Sequence, residues 1–425
     1  MTSLPTPIRS TRTLFDSTSR SFRGTRTLSP TVAFGLLTSI LLMLLASSSA
    51  PTPLYATYQA QWGFSTIMIT VIFGVYAVAV LLSLLVFGSL SDHVGRRPVL
   101  LGALVMQAGV MLLFAFAGGL DVLLLARVLQ GLATGMAVGA IGAGLVDLHP
   151  GRGPVANAAG AMSGTASGAL GSALLVQLLP SPTRLVYLVL LGAFLIQAVG
   201  VAMIAETSAR KPGALQSLRP TIAVPTRVRG TLAIAAPSLV AVWALAGFYG
   251  SLGPSLTALI SGSDSTILGG GSLFVLAASG ALTVLVFRRV DPRTFSIAGS
   301  SLVIAGVAIV LLAASSRSIV AFFIGTAIAG AGFGGGFQGG LRTIVPLAAP
   351  TERAGVISVA YIICYLAMGL PAILAGFLVV HGTVLHTAQE FGGAVIVLAA
   401  LTVAGMTLRV VRTRARPPAA CPATR

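Results

Sequence analysis

The sequence predicts an all-α membrane protein with twelve transmembrane helices in two pseudo-symmetric six-helix bundles. Three observations carry that prediction. Of 425 residues, 56% are hydrophobic and only 8% charged, with a mean hydropathy of +0.97; a soluble domain has about a quarter charged residues. Basic residues collect on alternate connections between apolar runs, as they do where positive charge fixes orientation in a bilayer. The layout of the first half also recurs in the second.

Residues 1–30 hold Arg9, Arg12, Arg20, Arg23 and Arg26 among serine and threonine, with no apolar period, which predicts a disordered basic cytoplasmic arm. Arm, apolar run and the small residues Ser47 to Ala50 imitate a cleavable signal peptide, but the many spans that follow predict an uncleaved first helix. Runs of about twenty apolar residues, enough to cross a hydrocarbon core of ~30 Å, place spans at 31–51, 66–88, 98–117, 120–146, 155–179 and 184–205. A second set follows at 230–260, 266–287, 294–314, 318–347, 354–380 and 390–411. The N-terminal bundle is thus 31–205 and the C-terminal bundle 230–411, with a cytoplasmic tail at 412–425. Between the bundles runs a cytoplasmic linker, 206–229, rich in proline and basic residues. Each bundle has a charged loop after its second span (Asp92 to Arg97; Arg288 to Arg293) and another after its fourth (Asp147 to Arg152; Glu352 to Arg353). The 50 glycines and 22 prolines fit membrane helices, where small residues permit close packing.

With the arm taken as cytoplasmic, all but three of the 26 lysines and arginines fall on one side, in the arm, the even-numbered loops with their bordering helix ends, and the tail. Arg184 and Arg317 lie opposite, and Arg127 lies within a span. An error of one span would scramble this segregation. The expectation is a multi-pass protein of a bacterial inner membrane, monomeric, with both termini cytoplasmic.

Several chemistries are set aside. The net charge of +17 invites a nucleic-acid reading, but its placement between apolar runs argues for the lipid bilayer as partner and against nucleic acid. Cys364 and Cys421 form neither a disulfide framework nor a metal-ligand spacing. His93, His149, His381 and His386 are placed in loops, away from any helical metal pattern; His381 and His386, with Glu390, are the candidates for sensing external pH. Asn157, the only asparagine, precedes two alanines, so no glycosylation sequon exists. Gly330-Ala331-Gly332-Phe333-Gly334-Gly335 matches a dinucleotide fingerprint but sits inside a span without the required strand, so it is read as helix packing. A phosphate-binding Gly-Lys-Ser/Thr run is absent. No cofactor, no metal and no enzymatic activity are expected.

The loop after the second span reads Gly88-Ser89-Leu90-Ser91-Asp92-His93-Val94-Gly95-Arg96-Arg97-Pro98. Gly88 allows a close helix approach, Gly95 a tight turn, and Asp92 can meet a helix N-terminus or an arginine. Arg96 or Arg97 is expected to pair with Asp147. In spacing and position this loop resembles the signature of the major facilitator superfamily, in particular its twelve-span drug:proton antiporter branch, over residues 31 to 411. His93 departs from the basic residue usual there. The resemblance implies a latch of Gly88, Asp92, Gly95, Arg96, Arg97 and Asp147 that holds the two halves together on the cytoplasmic side. The two six-helix repeats predict a binding site near the midplane between the halves, reached alternately from each face.

A second resemblance is Leu125-Ala126-Arg127-Val128-Leu129-Gln130-Gly131 in the fourth span, similar to the family's Arg, Gln, Gly motif. A charge inside the membrane is a functional candidate by default, and the resemblance implies proton coupling or substrate binding through Arg127 and Gln130, with Asp121 nearby. An arginine reaching back to the interface near Asp121 is the plainer alternative. The family's glycine-proline cluster survives only as Gly164 to Gly171, with Ala169 at the proline position, leaving close packing through Gly160, Gly164 and Gly168.

By family position, Gln130, Trp243, Tyr249, Gln338, Tyr361 and Tyr365 are expected to face a substrate cavity suited to a moderately apolar small molecule. Proton drive needs a titrating group in the path, yet all nine acidic residues fall in the arm, loops or span ends; Asp92, Asp121 and Asp147 are the nearest. Export of a drug-like molecule by proton antiport leads on resemblance. A facilitator or importer of a small, even anionic, metabolite and a non-transporting membrane sensor are the rivals.

Overall fold

The computed structural model describes residues 28–208, 210–220 and 222–414; the arm up to residue 27 and the tail beyond 414 lie outside them. Among the described residues every regular element is helical. In the first half, α1 (Pro30–Ser49) and α2 (Tyr55–Trp62) make one span, followed by α3 (Thr66–Phe87), the short α4 (Ser91–Val94), α5 (Arg96–Ala115), α6 (Leu120–Leu148), α7 (Gly153–Leu178) and α8 (Pro182–Ala202). In the second, α9 (Thr226–Ser251) and α10 (Gly253–Ser261) share a span, followed by α11 (Thr266–Val286), α12 (Pro292–Ser316), α13 (Ile319–Ile344), α14 (Arg353–His381) and α15 (Val384–Arg414). Among the described residues, twelve segments are long and apolar enough to cross a membrane.

The first span breaks for a chemical reason. Pro51 and Pro53 have no amide hydrogen, so the carbonyls four residues back, Ser47 and Ser49, lose their helical partners. The chain turns through Thr52–Leu54 before resuming as α2. The seventh span, expected as one run over 230–260, breaks at the equivalent place: α9 stops at Ser251 and α10 restarts with Pro254 in its first turn. Each short helix then ends on a left-handed glycine, Gly63 (φ 68°) and Gly262 (φ 64°), and Ser-Thr-Ile follows soon after both.

Several helices start earlier than hydropathy indicates, α5, α7, α8 and α12 by two residues and α15 by six, because capping and polar turns precede the apolar stretch, while α5, α8 and α13 stop two or three residues short of the expected ends. Residues 29 and 30, expected within the arm, start α1: the Ser29 hydroxyl accepts from the Val32 amide at 3.4 Å. His93 lies in α4, His381 ends α14, and His386 lies in α15, one turn before Glu390 and 3.1 Å from it. The loop placement of these three is therefore corrected. At the start of α12, Asp291 accepts from the amides of Thr294 (3.0 Å) and Arg293 (3.1 Å). The Thr294 amide bond above all, with the Thr294 hydroxyl and Arg293 adding to it, holds this carboxyl below the usual aspartate range.

Two apolar cores centre on the two halves, one around Leu37, Leu104 and Phe194 and one around Leu239, Val303 and Phe322, the second also taking in Ala158, Met162 and Ala169 of α7. A third cluster joins them: Phe73, Tyr76 and Val80 of α3 pack against Tyr365, Met368 and Ala372 of α14. Within the first half, Gly164 of α7 meets α1 so closely that a Cβ there would lie 2.9 Å from the Leu45 Cβ. Gly332, in the rejected dinucleotide-like run, plays the same part: a Cβ would lie 2.5 Å from the Val303 amide nitrogen of α12. Small residues at such crossings are what holds helices together where lipid is as apolar as the side chains.

The halves are joined firmly at the face opposite the basic loops. Thr52 Oγ1, at the first break, donates to the Gly250 carbonyl beside the second break at 3.0 Å. Nearby, Gln177 Oε1 accepts from the Ser265 and Thr266 hydroxyls (3.1 and 3.2 Å) and the Ile267 amide (3.1 Å).

Candidate functional site

Beneath that seal, a cavity of about 550 Å³ separates the halves. It extends to the basic-loop ends of the helices, where Val146 and Pro154 of the first half and Val345 and Ile357 of the second line it. The wall is aromatic and aliphatic: Phe73 and Tyr76 face it from α3, Trp243 from α9, Phe337 from α13, Tyr361 and Tyr365 from α14. Trp243 is fixed by edge contacts with Phe337 (5.4 Å) and Tyr365 (4.9 Å). Among the described residues, no aspartate, glutamate, lysine, arginine or histidine lines this space.

The residues expected to face the cavity divide. Trp243, Gln338, Tyr361 and Tyr365 line it. Tyr249 does not: it is buried inside the second half, its hydroxyl 2.8 Å from Thr326 Oγ1 and its ring stacked on Phe322. Gln130 is also displaced from the expected place, because its amide donates to the Ser47 carbonyl at 2.9 Å. Asn157, Ser48, Ser49 and Thr165 supply polarity that family position did not indicate. Asn157 was legible only as a lone amide in a run of alanine and glycine.

Arg127 is fully buried and sits one side chain behind the cavity wall. It donates to the Ser48 carbonyl (2.9 Å), to Gln130 Oε1 (2.7 Å) and to the Tyr55 hydroxyl, and its guanidinium lies over the rings of Tyr76 (5.1 Å) and Tyr55 (5.7 Å). Asp121, expected as its neighbour, is exposed in the first turn of α6 and makes no ion pair with it. The interface-seeking alternative fails with it. Arg127 and Gln130 serve the broken first span: between them they take up the Ser48 and Ser47 carbonyls, while the Ser172 hydroxyl takes the Ala50 carbonyl at 2.6 Å.

At the basic-loop face, Arg96 pairs with Asp92 and, at 3.2 Å, with Asp147, and its Nη1 donates to Ser91 Oγ at 2.7 Å. The expected ambiguity between Arg96 and Arg97 resolves to Arg96. Of the two partners open to Asp92, a helix N-terminus or an arginine, it takes the arginine, Arg96; the N-terminus of α5 is capped by Glu206, whose oxygens accept the Arg96 and Arg97 amides at 2.8 and 3.1 Å. Gly95 (φ 108°) turns tightly beneath it; a Cβ there would stand 2.6 Å from Glu206 Oε2. The linker adds the Lys211 amide donating to the His93 carbonyl (3.0 Å) and Ser89 Oγ donating to the Ser217 carbonyl (2.8 Å). All these bonds end within the first half or the linker. The latch expected between the halves is therefore, with this face open, a ring within one half.

A sequence profile described as Major Facilitator Superfamily matches residues 32–370. No curated protein matches the sequence significantly. The fold is similar to the crystal structure of a mutant of the nucleoside transporter NupG, at 14% identity and a TM-score of 0.67, covering 89% of this chain and 100% of that one. It is also similar to a bacterial homologue of the human lysosomal transporter Spinster, solved inward-facing and unoccupied, at 14% identity and a TM-score of 0.69, covering 92% and 99%. With twelve spanning helices, two halves and a central cavity sealed at one face, the chain belongs to the major facilitator superfamily.

Proposed function

We propose that this transporter exports a neutral, moderately apolar small molecule across a bacterial inner membrane by alternating access. The observation that carries the reading is the cavity wall: aromatic, with a few amides and hydroxyls and no charged side chain. Basic residues crowd the open face, which supports placing that face in the cytoplasm. The cavity then opens to the compartment from which an exporter loads. An anionic cargo is disfavoured, since Arg127 is spent on Ser48, Gln130 and Tyr55 behind the wall.

Proton antiport is proposed as the drive, with Asp92 and Asp147 around Arg96 as the carboxylates that change partners when the face closes. A facilitator without proton drive is the second reading, favoured by the lack of a carboxylate on the cavity wall. Proteoliposomes separate the two. A neutral aromatic dye should be moved by the wild-type protein and not by Ala246→Trp, which fills the cavity that Ala246 lines. Concentrative movement that collapses with the pH gradient supports antiport, whereas simple equilibration supports facilitation. Movement of anions in preference to every neutral compound overturns the substrate class.

A further inference from the structure

A second hollow, of about 300 Å³, lies within the first half at the sealed face. It is lined by Gln61 and Trp62 at the end of α2, Phe116 just past the end of α5, and Thr183 and Arg184 in the first turn of α8. Aromatic contacts tie these three helix ends together: Trp62 stacks on Tyr58 at 4.7 Å, the Tyr58 hydroxyl meets that of Tyr187 at 3.1 Å, and Tyr187 stacks on Phe114 at 4.9 Å. Arg184 is exposed, with its guanidinium 5.7 Å from the centre of the Phe116 ring. Among the described residues it has no ion pair and no side-chain hydrogen bond, and the side chains of Gln61 and Thr183 are equally unpartnered. No aspartate or glutamate lines the hollow, and none stands in the first turn of α8. An arginine in that turn adds to the positive end of the helix dipole instead of offsetting it, so the positive field here is uncompensated.

The helices below the hollow continue as apolar stripes. Leu112 and Val105 lie one and three turns before Phe116 on α5, and Leu188 and Leu195 lie one and three turns after Arg184 on α8; all four are exposed. The two helices run in opposite directions, and the stacking of Arg184 on Phe116 sets the tops of the two stripes side by side. A cation at the interface above an apolar surface suits a ligand that joins an anionic head to hydrocarbon chains, and Trp62 and Phe116 are aromatic residues of the kind found at headgroup level.

We propose that this hollow binds an anionic phospholipid of the leaflet at the sealed face, with its phosphodiester on Arg184 and its acyl chains against Leu112 and Leu188. Gln61 and Thr183 are the hydrogen-bonding groups left for a hydroxylated head such as glycerol. A choline head brings a fixed positive charge towards Arg184, so phosphatidylglycerol is preferred to phosphatidylcholine.

The chain has two tryptophans, Trp62 and Trp243, so Trp243→Phe leaves Trp62 as a reporter within the hollow. Full-chain Trp243→Phe protein is placed in phosphatidylcholine nanodiscs that contain rising fractions of phosphatidylglycerol or phosphatidylcholine brominated on the acyl chains, which quench tryptophan on contact. Brominated phosphatidylglycerol is expected to reach half-maximal quenching at about one-fifth of the fraction that brominated phosphatidylcholine needs. Anionic lipid gathered by the basic face is too distant to contribute to this signal. Arg184→Gln should bring the two lipids to parity, whereas Arg317→Gln, at the same face, should leave the ratio unchanged. Without any substitution at Arg184, the ratio should also fall towards one as salt rises from about 0.05 M to about 0.5 M, which keeps the test decisive if Arg184→Gln does not fold. Equal quenching by the two lipids at low salt, a ratio indifferent to salt, or a preference that survives Arg184→Gln in folded protein overturns the site. Inorganic phosphate at matched ionic strength should not relieve the quenching; relief would assign the hollow to a soluble oxyanion and overturn the lipid.

Discussion

Arg127 Nη1 lies 2.9 Å from the carbonyl oxygen of Ser48, which puts a permanent cation at the C-terminal end of α1, where the helix dipole is negative. The arrangement follows from Pro51 and Pro53, which end α1 inside the membrane and free its last carbonyls. A buried charge is tolerated here because its two Nη groups meet a carbonyl, an amide oxygen and a phenol, and its faces meet two aromatic rings.

Arg127→Gln should therefore act on stability before it acts on transport. It leaves the Ser48 carbonyl and the Tyr55 hydroxyl unmet, an expected loss of about 3 kcal/mol at about 1–3 kcal/mol per stranded group. Thermal unfolding in nanodiscs should show a midpoint lowered by several degrees, with Arg127→Lys between the two. Unchanged stability together with lost transport would instead return Arg127 to a coupling role.

Glu206 and Gly95 make a second pair whose loss has a readable direction. Removing the Glu206 side chain strips the cap from the first two amides of α5, so Glu206→Ala should cost about 1 kcal/mol. Gly95→Ala should cost more, because it forces a side chain into a left-handed backbone at φ 108° and into Glu206. If Glu206 is the obstacle, Gly95→Ala combined with Glu206→Ala should be less damaging than the sum of the two singles, a coupling read from a double-mutant cycle.

What could be read in advance follows from what each signal measures. Span number and halves were legible because apolar length and the segregation of arginine are properties of the chain as a whole. The Arg96–Asp147 pair was legible because its residues sit in a loop of recognisable spacing. Glu206 was missed because its partner helix begins about 110 residues earlier, and no local pattern links them. Tyr249 and Gln130 were misplaced because membrane helices are apolar on every side, so periodicity does not separate a face on the cavity from a face on a neighbouring helix. The breaks at Pro51 and Gly253-Pro254 were present as dipeptide signals within apolar runs, and only their equivalence across the halves gives them meaning.

The Asp291 cap sets an acid dependence. Its carboxyl is held below the ordinary aspartate value by the amide of Thr294 and its neighbours, so the folded state binds its proton less readily than the unfolded chain. The stabilisation is present above the unfolded pKa and is lost as pH falls through the lowered folded value. Asp291→Asn should narrow the stability difference between pH 6 and about pH 3, as measured by urea unfolding at each pH. An unchanged difference would remove Asp291 from the acid response.

The seal between the halves should yield to a single methyl-bearing residue. Gly250 gives its carbonyl to Thr52 and faces Phe73 so closely that a Cβ would stand 2.5 Å from the ring. Gly250→Val therefore works against closure at this face and shifts the population toward opening there. Leu273, buried on the second half and lining the cavity below the seal, offers a reporter. In a background with Cys364→Ser and Cys421→Ser, a thiol introduced by Leu273→Cys should react slowly with an impermeant maleimide supplied from the sealed face and several-fold faster once Gly250→Val is added. Gln177→Ala, which removes the acceptor shared by Ser265, Thr266 and Ile267, should raise the rate in the same direction and by less, because it weakens one end of the seal without placing atoms in it. Equal labelling in all three proteins would mean that Thr52 and Gly250 do not govern access from this face.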